Sequence, residues 1–134
     1  MSFMKEYGAS IPFVEHIGIK RDAADGRARV FLDVLPEHVN SWKAVHGGVL
    51  MTMLDIAMSL ATRLHIDAVP GGILTIDMSV KFINPGGAGR IVAEGKVIGG
   101  GRSTVFCEGE AHGADGKLLA KSMGTFKRVK KKAD

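Results

Sequence analysis

Four polar side chains interrupt an otherwise apolar run near the middle of this 134-residue sequence. In His46-Gly47-Gly48-Val49-Leu50-Met51-Thr52-Met53-Leu54-Asp55-Ile56-Ala57-Met58-Ser59-Leu60-Ala61-Thr62 they are Thr52, Asp55, Ser59 and Thr62, spaced three, four and three apart. On the period of a helix that spacing draws a single stripe down one face. A carboxylate in mid-helix is a poor helix former and costly to bury unless something partners it, so Asp55 calls for a chemical reason. Service as a general base or a nucleophile is one. The run opens on two glycines, which admit another group close to the backbone, and the first N–H groups of a helix have no partner within it. With the positive end of the helix dipole behind them, the amides of Gly47 and Gly48 suit a carbonyl oxygen that becomes negative during a reaction.

Gly47 and Asp55 are eight positions apart, which at helical rise is roughly 12 Å. Both groups of one helix therefore cannot touch the same reacting carbon. If both act, the second comes from a neighbouring copy of the helix running the other way, which predicts a two-fold dimer with its site at the interface.

The elements that must hold these groups follow from periodicity. Gly47 to Leu64 reads as one helix, apolar on nearly every side and hence enclosed by the rest of the protein. Ahead of it, a polar segment with at most one helical turn reaches Pro12. A first strand is expected over His16 to Arg21 and a second over Arg27 to Leu35, joined at Asp25-Gly26, with Ala28, Val30, Leu32 and Val34 of the second on one face. Pro36 to Val45, with Trp42 in it, forms a loop expected to help wall the site, and Asp67 to Gly72 forms another. Four strands come next. Ile73 to Ile83 alternates, with Leu74, Ile76, Met78, Val80 and Phe82 on one side and Thr75, Asp77, Ser79 and Lys81 on the other. Gly89 to Ile98, Arg102 to His112 and Lys117 to Val129 are separated by Gly99-Gly100-Gly101 and Asp115-Gly116, connections short enough for antiparallel neighbours. The fold class is α+β: one antiparallel sheet of five to six strands curled around a single long central helix, in one domain over residues 1–134.

Charge and composition narrow the function classes. Residues 127–134 carry five basic side chains and one acidic, so the whole net charge of +4 resides in that tail and residues 1–126 balance to zero. No aromatic residues alternate with Lys127, Arg128, Lys130, Lys131 and Lys132, which reads as a solvated terminus rather than a nucleic-acid site. Asp55 at the centre of the long helix and Arg63 near its end argue against a membrane span. The single cysteine, Cys107, reads as a small core residue, and together with the absence of a signal pattern at Met1 to Glu6 it leads us to expect a cytoplasmic protein. The five histidines show no metal-ligand spacing, so no metal is expected.

The order of elements, the His46-Gly47-Gly48 opening and the carboxylate eight positions after Gly47 resemble the hotdog-fold thioesterases, specifically the phenylacetic acid degradation-type branch of the 4-hydroxybenzoyl-CoA thioesterase superfamily. The resemblance runs from about His16 to Val129. It implies a hotdog fold, hydrolysis of an acyl-CoA thioester, assembly as a homodimer or dimer of dimers, and no cofactor, coenzyme A being part of the substrate. By the same resemblance Gly47 matches the backbone donor that polarises the thioester carbonyl, and Asp55 the carboxylate supplied by the opposing subunit. Asn40 matches a side chain that places the water or the carbonyl, and His46 the histidine beside the oxyanion site. Thr75 matches a hydroxyl position on the third strand, often serine in relatives, and Ser59 a threonine position that assists the carboxylate. Gly48 is expected to help bind substrate. Arg90, after Gly86-Gly87, and Arg102-Ser103, after the triple glycine, are expected to meet the coenzyme A phosphates. Two other readings stand beside hydrolysis: a hotdog-fold hydratase or dehydratase, and a protein that binds acyl-CoA without turning it over.

Overall fold

A computed structural model describes residues 11–22, 26–66 and 71–130. Its elements are α1 (Pro12–Ile17), β1 (Lys20–Asp22), β2 (Arg29–Asp33), a 3₁₀ turn (Pro36–His38), α2 (Gly47–His65), β3 (Gly71–Phe82), β4 (Arg90–Gly100), β5 (Thr104–His112) and β6 (Leu118–Lys130). The six strands form one antiparallel sheet in the order β1-β2-β4-β5-β6-β3, and α2 packs across its inner face. This is the hotdog fold.

Backbone-to-backbone proximity sets the position of α2. Gly95 on β4 pairs with Gly109 on β5, which pairs with Ser122 on β6, so a row of small residues crosses three strands beneath the helix. A Cβ on Gly95 would stand 2.2 Å from the carbonyl oxygen of Ala57, and one on Gly109 would meet Ser122 and Leu54. The helix lies so near the sheet at Ala57 that no methyl fits between them. Around this point Leu50, Met53, Leu54 and Met58 of α2 close on Ile91, Ala93, Val105 and Phe126. α2 is long and apolar enough to cross a membrane by length and composition alone, but half of it is buried inside the fold.

Several expectations need correction. The segment assigned to a first strand over His16 to Arg21 begins as helix: Pro12 stands in the first turn of α1 and Gly18, at φ 94°, caps its end, leaving only Lys20–Asp22 as strand. Pro early and Gly late is the helical signature that outweighs the short apolar alternation. Of the hairpin between β1 and β2, Asp25 lies outside the described residues and Gly26 adopts φ 72°. The triple glycine is not all turn either. Gly99 and Gly100 belong to β4, and the reversal falls at Gly101 to Ser103.

The alternation along β3 also changes phase. A register shift between Thr75 and Asp77 inserts an extra residue against β6, which exchanges the two faces of the strand. Leu74 and Ile76 are therefore more than half exposed, while Ile73 before the shift and Met78 and Val80 after it pack against the core. Nor is α2 enclosed all round by the described residues: Met51 and Leu64 are exposed, and Thr52, Asp55 and Ser59 are half-buried. Thr62, expected in that stripe, is fully buried instead. Its hydroxyl donates to the Met58 carbonyl at 3.0 Å and lies 3.2 Å from the Cys107 sulfur, because β5 brings Cys107 against the last turns of the helix. In the basic tail, Lys127, Arg128 and Lys130 are part of β6 and pair with β3; Lys131 and Lys132 lie outside the described residues.

Two outcomes follow from this packing. Gly95→Ala should cost on the order of 3 kcal/mol, because a methyl must displace helix backbone rather than a flexible side chain, and a lowered urea midpoint would register it. Burial pushes the Cys107 thiol above its ordinary value of 9.0, so a thiol reagent at pH 8 should leave the folded protein unlabelled and label it promptly in denaturant.

Candidate functional site

The phase change in β3 turns Thr75 toward α2, where its hydroxyl donates to Asp55 Oδ1 at 2.6 Å. Among the described residues Asp55 Oδ2 accepts no hydrogen bond. The carboxylate thus has one oxygen fixed and one available. It opens into a groove of about 390 Å³ that also exposes Thr52 and the apolar side chains Met51, Ile56 and Met78, with α1 as its far wall. Thr52 is turned back on the helix, donating to the Gly48 carbonyl at 2.8 Å. Ser59, one turn beyond Asp55, is half-buried and makes no hydrogen bond among the described residues.

At the other end of α2, local hydrogen bonds decide which amide is free. His46 is the N-cap, and its Nδ1 accepts from the Gly48 N–H at 2.8 Å. That bond removes the Gly48 amide from the set of open donors. Val49 and Leu50 both donate to the His46 carbonyl. Gly47 alone of these amides has no acceptor among the described residues, which makes it the donor that remains for a ligand. The ring of Phe82 would lie 3.2 Å from a Cβ on Gly47, and His46 Nδ1 3.0 Å from one on Gly48. A Cβ at either glycine would press on the ring beside it, which would have to shift by a few tenths of an ångström.

Asn40 organises the loop that leads there. Its Oδ1 accepts from Trp42 N–H at 2.9 Å and Ala44 N–H at 3.1 Å, and its own N–H donates to the Ala44 carbonyl. The amide nitrogen of its side chain makes no bond among the described residues and is left for a ligand. Lys43 pays for the tight turn with a left-handed φ of 63°, uncommon for a residue with a Cβ. Trp42, expected to wall the site, projects into solvent with 88% exposure.

A residue that sequence reasoning passed over holds these parts together. His38 is buried; its Nδ1 accepts from Leu35 N–H at 2.9 Å, so Nε2 carries the proton and donates to the Ile17 carbonyl at 2.7 Å. Its backbone carbonyl accepts from His46 N–H at 2.8 Å, and Val39 bridges Val45. One residue thereby joins the end of α1 to the cap of α2. Nothing about a lone histidine after Pro36-Glu37 announces this in the sequence.

The residues expected to meet phosphates are not brought together. Arg90 places Nε and Nη2 on the two oxygens of Asp33 at 2.8 and 3.0 Å and lies 4.1 Å over the Phe31 ring. That pair of hydrogen bonds lowers the Asp33 pKa and raises that of Arg90. Its fork is occupied by a carboxylate of its own chain. Arg102 and Ser103 occupy the exposed turn at the opposite end of β4, an 11-residue strand spanning roughly 33 Å. The register Thr75–Phe126–Val105 sets this turn two strands from Thr75, about 10 Å across the sheet. Of the two candidates, the Arg102-Ser103 turn is the nearer to Asp55.

The sequence profile described as Thioesterase superfamily matches residues 43–120. A protein of Saccharolobus solfataricus, provisionally named an esterase, is 34% identical over 101 residues, which cover 75% of this chain and 71% of that one. The chain is also similar to acyl-coenzyme A thioesterase 13 of Homo sapiens, with 29% identity over 105 residues, 77% of this chain and 74% of the relative. In three dimensions it resembles the PaaI protein from the phenylacetic acid degradation operon of E. coli with a TM-score of 0.79 and 22% identity, covering 94% of this chain and 88% of that structure.

His38→Ala should lower stability by about 1–3 kcal/mol, since it strands the Leu35 amide and the Ile17 carbonyl without partners. Equilibrium denaturation would measure the loss.

Proposed function

Because the chain belongs to the thioesterase superfamily and is a thioester hydrolase, we propose that its substrate is an acyl-coenzyme A, cleaved to the free acid and coenzyme A between two subunits. The observation that carries this reading is the 2.6 Å hydrogen bond from Thr75 to Asp55 inside the groove, on the same helix whose Gly47 amide is left open.

The chemistry follows from those groups. The Gly47 N–H, at the positive end of α2, receives the thioester carbonyl oxygen as it becomes negative, worth on the order of 3 kcal/mol in the transition state. The Asn40 side-chain amide is a second donor at the same helix end. Asp55 either takes a proton from water as the water oxygen bonds to the carbonyl carbon, or bonds to that carbon itself and forms an anhydride that water then cleaves. In both routes the carbon–sulfur bond breaks and the thiolate leaves, taking up a proton afterwards. Thr75 holds Oδ1, so Oδ2 is the oxygen that acts. His46 supports the donor end by capping α2, and Ser59 stands one turn beyond the carboxylate. No cofactor enters either route. The Arg102-Ser103 turn is the basic surface available to the nucleotide phosphates.

Gly47 and Asp55 of one helix remain roughly 12 Å apart, so a second copy supplies the missing half of each site. Two features support this. Among the described residues the Asp55 face of α2 is only half covered, and β3 is an edge strand of 12 residues with Leu74 and Ile76 exposed. An edge that long and apolar is ordinarily covered by another strand.

Thiol release from a panel of fatty and aryl acyl-CoAs tests the proposal. The native protein should turn over at least one member, and Asp55→Asn should lower kcat about 10²–10⁴-fold. Thr75→Val should cost roughly tenfold, the loss of one hydrogen bond to a charged group, while Thr75→Ser stays near native. Acyl-CoA bound without thiol release would assign the protein to binding instead.

A further inference from the structure

The groove at Asp55 is lined by two kinds of side chain. Asp55, Thr52 and Thr75 are polar, whereas Met51 and Ile56 of α2, Met78 of β3, and Phe13 and Val14 of α1 are apolar. The volume of about 390 Å³ lies within the range of small-molecule sites. Among the described residues no basic side chain lines it, and Asp55 is the one formal charge. α1 is itself fixed: Val14 is fully buried, and the Ile17 carbonyl is held by His38. Phe13, 59% exposed, is thus a large ring presented to the groove by an anchored helix.

We propose that this groove takes the acyl group of the substrate, and that Phe13 is the specificity-determining residue that limits its length. This inference rests on the thioester hydrolase reading. A carbonyl carbon at Asp55 directs the remaining acyl chain along Met51, Ile56 and Met78 toward Phe13, where the ring meets its far end. Two consequences define the substrate class. The acyl group is uncharged, since a terminal carboxylate would enter an apolar slot whose described residues offer Asp55 and no cation. Its length is graded by the Phe13 ring, each methylene gained or lost in such a slot changing specificity by roughly tenfold or more.

The experiment compares native protein, Phe13→Ala and Phe13→Trp on a ladder of straight-chain acyl-CoAs from acetyl to palmitoyl, with glutaryl-CoA as the charged member. Phe13→Ala should raise kcat/KM for chains longer than the native optimum about tenfold relative to chains shorter than it. Phe13→Trp should move the optimum to shorter chains, and glutaryl-CoA should fall at least about tenfold below an uncharged acyl of equal length. Superimposable profiles for the three proteins would overturn the proposal. So would an unchanged profile accompanied by a weaker dimer in sedimentation, which would assign the groove to a subunit contact. Phe13 is exposed enough that neither variant should disturb folding, and thermal melting checks this. Titration calorimetry with the corresponding free acids separates the two levels of inference. If the native protein releases no thiol from any thioester, the hydrolase reading fails, while binding whose length dependence shifts in Phe13→Ala still supports the groove; length-independent or absent binding overturns it.

Discussion

The close approach of helix to sheet at Gly95 is the constraint on which the rest of the structure depends. With the Ala57 carbonyl packed where a Cβ would otherwise stand, α2 can neither rise from the sheet nor slide along it without breaking contact over Gly109 and Ser122 as well. Asp55 lies two residues from this point, on the side facing β3. Its distance from Thr75 is therefore set by backbone packing, not by a flexible side chain adapting to its surroundings. The same anchoring carries the start of the helix to Phe82, which covers one side of Gly47.

Much of this architecture was legible in the sequence, for identifiable reasons. The long helix is unmistakable because its apolar residues extend well beyond strand length and Gly-Gly and a polar loop flank it. The strands after it are bounded by glycine-rich turns, so their number and order come through. Asp55 is conspicuous because a mid-helix acid violates the local preference. Thr75 is a different case. Period-two alternation groups it with Asp77, Ser79 and Lys81, away from the core, and only the added residue in the β3–β6 register brings it to Asp55. A bulge leaves no mark in hydrophobic alternation, which explains why the resemblance to known thioesterases could point to Thr75 where periodicity could not.

The remaining discrepancies have a common cause: side chains commit to nearby backbone and to each other in ways that residue type does not reveal. His46 accepts from the Gly48 amide and leaves that of Gly47 open, and Arg90 places both arms of its guanidinium on Asp33. His38 lies hidden while joining three segments. Each contact is local or cross-strand and depends on a turn whose geometry is fixed only after the chain has folded. Among neighbouring glycines, too, the capping geometry distinguishes one open amide from one that is closed.

The imidazole of His38 bonds α1 through Ile17, and its own carbonyl bonds the cap of α2 through His46. The hydrophobic wall bearing Phe13 and the dipolar end bearing Gly47 are consequently not separate flaps but parts of one latch. On the proposed function, selectivity at one site and turnover at the other share a mechanical linkage, and an alteration at that latch would disturb both together.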